Sequence, residues 1–301
     1  MNLRFLVPGT QEALPLRSFL KRQGFSLHLW RRLKHQGRVT VNGETVIAAL
    51  TSVGPGDEVI CEMPEASPVE PLAMPLDIRY EDDWLLIVNK PPQQLVHPVS
   101  RKRPEPTLAN AVTHYYETTG QPLIFHPLHR LDRNTSGLVL IAKQPHVQAR
   151  LTSPRGALFH RRYLGIIKGA PTTPEGLIDA PLARKEGSLI EQTVTPAGRP
   201  AQTRYRTLAR AEGLTLLELS PLTGRTHQIR AHLAHIGFPL LGDDLYGQPS
   251  PLIARQALHA WRVELPHPAT GEPLTVTAPP PEDMGWLLQR FAAAFDFETL
   301  S

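Results

Sequence analysis

The stretch His126-Pro127-Leu128-His129-Arg130-Leu131-Asp132-Arg133-Asn134-Thr135-Ser136-Gly137 decides how the rest of the chain is read. It is a polar turn that holds one acid, Asp132, between two arginines, Arg130 and Arg133. Behind it come Leu138, Val139, Leu140, Ile141 and Ala142, an unbroken apolar run that predicts a strand buried on both faces. Thr135 and Ser136 offer hydroxyls to nearby backbone groups and Gly137 accepts positive φ, so the turn can be tight and reproducible. Cations this close favour the charged form of a carboxylate, and an ionised carboxylate is a base or a nucleophile. By itself, such an Asp is more often half of a structural salt bridge than a catalyst.

Around this turn, 301 residues leave room for about two domains. The formal charge is only +4, so any nucleic-acid footprint must come from local clusters. Cys61 is the single cysteine, which excludes an internal disulfide and a cysteine-rich metal site and fits a reducing compartment. No apolar stretch approaches the ~20 residues of a membrane span, and residues 1–9 show no signal or transit pattern. A cytoplasmic monomer with no membrane contact is expected. The 31 prolines, about twice the ordinary share, are dispersed and suggest many loops.

Residues 10–63 pattern as a small domain. Leu14, Leu16, Phe19 and Leu20 predict a short helix ending at Gly24, and Ser26 caps a second that ends at Gly37. Strands 39–41 and 45–47 flank Asn42-Gly43, a hairpin signal, and residues 54–57 turn into a strand at 58–62. Arg17, Lys21, Arg22, Arg31, Arg32, Lys34 and Arg38 accumulate over 17–38 without one acid. Such a run is either a solvated helix face or a phosphate-binding surface. Residues 64–76, with four prolines, have the composition of a semi-extended linker.

Further along, Leu85-Leu86-Ile87-Val88 predicts a buried strand leading into Asn89-Lys90-Pro91-Pro92, and 107–118 a helix begun by a Thr cap. Residues 143–174 hold six Lys or Arg and no acid, and 159–167 read as a strand containing Tyr163. Leu222 to Arg230 enters a helix with Ile229, Leu233 and Ile236 at i, i+4 and i+7, ended by Gly237, so Arg225 lies near its positive end, where anions bind. A last helix is expected at 283–297.

These segments together carry a resemblance. His129-Arg130-Leu131-Asp132 with Thr135-Ser136-Gly137, the Asn89-Lys90-Pro91-Pro92 segment, and Leu222-Thr223-Gly224-Arg225-Thr226-His227-Gln228-Ile229-Arg230 followed by Gly242-Asp243 and Tyr246-Gly247 resemble the motifs of the RluA-type RNA pseudouridine synthases. The resemblance implies that Asp132 is the catalytic residue, that Tyr163 stacks against the target base and that Arg225 pairs with Asp132. It also implies that Arg130 fills the place vacated by the extruded uridine, with Arg133 beside it as an RNA contact. Gln93 stands where the family usually has a glycine, and Arg161 where it has Lys; no role passes to Arg161. The helix, basic helix and hairpin order of residues 10–47 resembles the alpha-L RNA-binding domain, which turns the basic run 17–38 toward phosphate contacts.

Thirteen histidines invite a metal, but His227, His232 and His235 lack metal-ligand spacing and no His-Glu-x-x-His occurs, so no metal is assigned. No Gly-rich phosphate loop appears, and no second motif carboxylate answers the pair a glycosidase needs. No cofactor is implied. The expectation is an α+β protein with an alpha-L RNA-binding domain at 1–63, a linker at 64–76 and a pseudouridine synthase domain at 77–301, the last a mixed, mainly antiparallel sheet with flanking helices. Its partner is RNA, large-subunit ribosomal RNA first and transfer RNA second. The competing reading is an RNA-binding ribosome assembly factor without catalysis.

Overall fold

The computed structural model describes residues 2–9, 12–23, 25, 30, 33–34, 37–62, 69–98, 105–152 and 158–293. The chain forms two compact units, Met1–Pro68 and Val69–Ser301.

In the first unit, strands β1 (Asn2–Leu6), β2 (Arg38–Val41), β3 (Glu44–Thr45) and β4 (Glu58–Glu62) form an antiparallel sheet in the order β1-β4-β2-β3, with helix α1 at Leu16–Arg22. Leu16, Phe19 and Leu20 of α1 enter a core with Val39, Val59 and Cys61. Burial pushes the Cys61 thiol up to about 11, so it stays protonated. Asn42 (φ 52°) and Gly43 (φ 85°) make the two-residue hairpin turn, whose left-handed backbone matches the twist of the flanking strands. The expected second helix lies largely outside the described residues, as do Arg31 and Arg32. Arg17, Lys21, Arg22, Lys34 and Arg38 are exposed.

The second unit contains β5 (Asp77–Glu81), β6 (Leu85–Lys90), α2 (Leu108–Thr118), β7 (Ser136–Ala142), α3 (Pro145–Leu151), β8 (His160–Lys168) and β9 (Glu175–Asp179). A short hairpin, β10 (Leu182–Arg184) and β11 (Gln192–Val194), follows. Then come β12 (Gln202–Ala211), β13 (Leu214–Pro221), α4 (Gln228–His235), β14 (Leu258–Pro266), β15 (Pro273–Thr277) and α5 (Glu282–Gln289). The main sheet runs β9-β12-β13-β8-β14-β7-β6-β5, with β15 added beside β14. Neighbours are antiparallel except β7 and β14, which are parallel. Residues 69–76, expected as linker, are tied to this unit: Leu72 N–H donates to Asn110 O (3.2 Å), and Val69 and Leu76 pack on its core.

Every residue of β7 is buried, because helices cover both faces of the sheet here. Val139 and Ile141 meet Leu108, Val112 and Tyr116 of α2, while Leu138 and Leu140 meet Val147 and Leu151 of α3. A Thr107–Asn110 capping box starts α2, as its Thr cap predicts. Met284, Leu287 and Leu288 of α5 cover Leu164, Ile166 and Leu216. Among the described residues no helix is long and apolar enough to cross a membrane.

Where β7 meets β14, the backbones nearly touch. Gly137 (φ 116°) pairs with Ala260, and a Cβ at Gly137 would fall 2.3 Å from Ala260 O, which no other residue could tolerate. One residue earlier, Ser136 Oγ lies 3.0 Å from Nδ1 of the buried His259, whose Nε2 lies 3.1 Å from Ala278 O. Nε2 must donate to that carbonyl, and because burial keeps the ring neutral, Nδ1 accepts from the Ser136 hydroxyl.

Burial moves His259 down from its ordinary 6.5 to about 4. Between those values the unfolded chain binds the extra proton, so stability falls as pH drops through this window, by up to about 3 kcal/mol. Thermal melts of the wild type against His259→Gln should show a steeper loss between pH 6.5 and 4.5 in the wild type; parallel curves would refute the linkage.

Candidate active site

The Asp132 turn leaves the sheet just before β7 and is held from below by cations that donate to its backbone. The Lys90 ammonium, fully buried at the end of β6, reaches Pro91 O (2.7 Å), Gln94 O (2.9 Å) and Arg133 O (3.2 Å). Arg255 donates to Asn134 O (3.0 Å) and is itself forked onto Asp283 of α5. Burial, reinforced by Arg255 and opposed by Asp132, pushes Lys90 down to about 7. Thr135 N–H closes the turn onto Asp132 O (3.1 Å), and Gln256 donates to Thr135 Oγ1 (3.1 Å). Leu131 is buried in the core, while Asp132 keeps 19 % of its side chain exposed. The turn thus anchors one residue and presents the next.

His129 Nε2 accepts from Leu140 N–H at 3.3 Å, and burial beside Arg161 holds this imidazole neutral, well below its ordinary value. On the preceding turn, Gln93 adopts φ 62°, so the conformation a glycine would take freely is kept by a residue that pays for it in strain.

Facing Asp132 is the start of α4. Residues 228–233 are all buried, so a charge on this helix must find partners inside. Arg230 forks onto Asp243 through Nε (2.7 Å) and Nη2 (2.8 Å), and its Nη1 lies 3.4 Å from Asp132 Oδ2. Burial opposes this charge, but Asp243 and Asp132 outweigh it and hold Arg230 above its ordinary value. Asp243 is fully buried and also accepts from Leu245 N–H (3.1 Å) and Tyr246 N–H (3.0 Å).

The expected Arg225–Asp132 pair is not formed. Arg225 lies in the turn three residues before α4, where its Nε donates to Pro200 O at 2.9 Å. Arg230, one helical step inside, is the arginine that reaches the carboxylate. The intervening turn is stapled by the Gln228 amide, whose oxygen accepts from Arg225 N–H (3.0 Å) and Thr223 Oγ1 (2.7 Å) and whose nitrogen donates to Gln202 O (2.8 Å). Arg225 still lines the same cleft, a space of about 690 Å³ bounded by Asp132, Arg130, Tyr163, Arg225, His227 and Arg230 among others.

Tyr163 sits on β8 at the bulge after Arg162, almost wholly buried; burial raises its pKa, so the phenol keeps its proton. Arg130 is exposed, whereas Arg133 is partly neutralised by Glu105 at 3.2 Å. A second groove of about 780 Å³ shares Arg161, Pro221 and Leu222 with the cleft. Two of its arginines, Arg162 and Arg206, are tied to Glu218, and Arg162 also to Glu264, whereas the cleft is lined by a single acid among the described residues, Asp132. His232, one of the three clustered histidines, is satisfied by Thr203 Oγ1 and Ala180 O (both 2.9 Å).

Sequence reading missed Arg230, Asp243, Lys90, Arg255 and Gln228 as parts of this site. The signal for Arg230 was present: an arginine between Ile229 and Ala231 on a helix bearing apolar residues needs a buried acid, and Asp243 follows in a Gly-Asp turn. Removing one partner of a buried pair costs about 3–5 kcal/mol. Arg230→Ala should therefore lose about that much in denaturant titrations, whereas Arg225→Ala, losing one contact to a carbonyl, should lose about 1 kcal/mol or less. Equal losses would refute this assignment of the two arginines.

Residues 84–235 match the family model described as RNA pseudouridylate synthase. The chain is 40 % identical to the RNA pseudouridine synthase YjbO of Bacillus subtilis over 84 % of this chain and 90 % of that one. It is 37 % identical to the ribosomal large subunit pseudouridine synthase D of Escherichia coli K12 over 86 % of this chain and 84 % of that one. The structure of human RNA pseudouridylate synthase domain containing 4 is similar in fold, with a TM-score of 0.56 at 23 % identity over 71 % of this chain and 92 % of that one. The chain is thus a member of the RNA pseudouridylate synthase family, an enzyme of the isomerase class.

Proposed function

We propose that this enzyme isomerises uridine in large-subunit ribosomal RNA, with Asp132 as the group that opens the glycosidic bond. The observation that carries the reading is the partly exposed Asp132 carboxylate, the one acid among the described residues lining a cleft otherwise rich in cations. In the reaction the C1′–N1 bond breaks, the freed uracil turns, and a C1′–C5 bond forms while C5 gives up a proton and N1 takes one up. A single carboxylate suffices to start it, by attack at C1′ or by taking a sugar proton. The protonated Tyr163 lines the same cleft, which supports a role against the target base, and exposed Arg130 is suited to fill the gap an extruded uridine leaves. Arg225, free of the Asp132 pairing, fits a phosphate contact at the cleft mouth.

Ribosomal RNA is favoured because relatives of 37–39 % identity are named for the ribosomal large subunit. The N-terminal unit reads as an alpha-L RNA-binding module: its α1 exposes Arg17 and Lys21 one turn apart, opposite the buried Phe19 and Leu20. In the same reading the exposed Lys34 and Arg38 are further RNA contacts, and Arg31 and Arg32 carry the same charge in the sequence.

Asp132→Asn should bind RNA as the wild type does and form no pseudouridine in a base-by-base chemical assay; product from this variant, with deamidation excluded by mass spectrometry, would sink the assignment. Tyr163→Phe should bind normally and turn over more slowly. Deleting the gene should remove pseudouridine from large-subunit ribosomal RNA, and loss from transfer RNA alone would move the substrate. Removing residues 1–68 should weaken RNA binding and flatten its salt dependence, by roughly 0.7–0.9 in log–log slope per lost phosphate contact. An unchanged slope would reduce the basic surface to a solvated face.

A further inference from the structure

Among the described residues, four besides glycine adopt a left-handed backbone: Asn42, Gln93, Glu212 and His227. The first three sit in turns between strands or after prolines. His227 (φ 53°) instead lies at the mouth of α4 and lines the cleft, and strain kept at such a place calls for a function. This backbone brings its imidazole between two oxygens. Nε2 lies 3.9 Å from Asp132 Oδ1, and Nδ1 lies 3.0 Å from the Tyr246 hydroxyl.

The proton on this ring can be placed. Gln192 N–H donates to the Tyr246 hydroxyl at 2.7 Å, leaving the phenol's own hydrogen to be donated. Its neighbour is His227 Nδ1, which then accepts, so a neutral ring carries its hydrogen on Nε2. The other face gives the same answer: an unprotonated Nε2 would set its lone pair against a carboxylate oxygen. Burial and Arg230 lower the affinity of His227 for a second proton, against the pull of Asp132 and Asp243. Tyr246 packs its ring edge-to-face against His227 (5.7 Å between centroids), while the Arg230 guanidinium lies 5.1 Å over the same ring. One tyrosine therefore braces both groups that flank Asp132.

We propose that His227, locked by Tyr246 in its Nε2–H form, is a positioning residue for the Asp132 carboxylate. Arg230 holds Oδ2 and His227 holds Oδ1, which fixes the rotation of the carboxylate and aims its remaining lone pairs at the sugar. Contacts of this kind are often long before substrate binds, and the 3.9 Å approach shortens to a hydrogen bond when RNA closes the cleft. The proposal rests on Asp132 as the reacting carboxylate.

The decisive measurement is a long-range ¹H–¹⁵N correlation spectrum of the full-length protein, with His227 assigned through its absence in His227→Gln. The expected pattern is protonated Nε2 and bare Nδ1, changing to a mixture of tautomers in Tyr246→Phe; a protonated Nδ1 in the wild type overturns the proposal. In kinetics, His227→Ala should lower kcat about tenfold or more, the worth of one charge-assisted hydrogen bond, with KM unchanged. His227→Gln, which keeps an N–H donor, should restore part of that loss. Wild-type kcat in the alanine variant, or glutamine no better than alanine, would refute the role. Activity in Asp132→Asn would remove the catalytic reading beneath it, whereas an inactive Asp132→Asn with the wrong tautomer at His227 would refute this proposal alone.

Discussion

A guanidinium sealed inside a protein must be neutralised where it lies, and this structure is arranged around one such group. Arg230, 7 % exposed, spends two N–H groups on the fully buried Asp243 and turns a third to Asp132. The pairing with Asp243 makes the charge tolerable; the residual contact gives Asp132 a fixed cationic neighbour. Because the fork locks the plane of the guanidinium, the third N–H has little freedom, and the carboxylate it faces inherits that order. The same device recurs below the turn, where Arg255 is forked onto Asp283 and spends its other nitrogen on Asn134 O. Two buried arginines, each held by an acid from a different segment, grip one short loop from two sides.

The sheet supplies the rigidity these clamps need. β7 is paired on both edges and covered on both faces, so the residue entering it cannot wander. Gly137 carries this to its limit, since the chain there comes so close to Ala260 that no side chain fits. The turn ahead of the strand is therefore placed by backbone geometry as well as by side chains, so the Asp132 carboxylate starts from a reproducible position.

Much of this was legible in the sequence, for physical reasons. A short apolar run with β-branched residues and no alternation, set between a turn and a lysine, reads as a strand covered on both faces, and 138–142 is one. A Thr at 107 and a Gly at 237 mark helix ends because backbone groups need partners there, and α2 and α4 begin and end beside them. Asp132 and Tyr163, far apart in sequence, do line one cleft. The position of Arg230 between Ile229 and Ala231 hinted at burial, but which of two arginines five residues apart on the same motif meets Asp132 was decided by packing. Arg225 and Arg230 differ by whether the chain has entered the helix, and only the packing of α4 on the sheet makes one internal. Helix ends are also where residue patterns blur most, so the error fell at a boundary.

The route of the strands has a bearing on how the protein is made. β7, which fixes the Asp132 turn, lies between β6 and β14, and β14 begins at Leu258, more than a hundred residues downstream. Arg255, which holds Asn134 O, comes just before it. No nascent chain shorter than this can possess the cleft. The N-terminal sheet, by contrast, is complete once Glu62 has been added. At ~5–20 residues per second, ribosomes would complete the N-terminal sheet roughly 10–40 s before the second unit can close, so the two units of a newly made chain fold one after the other.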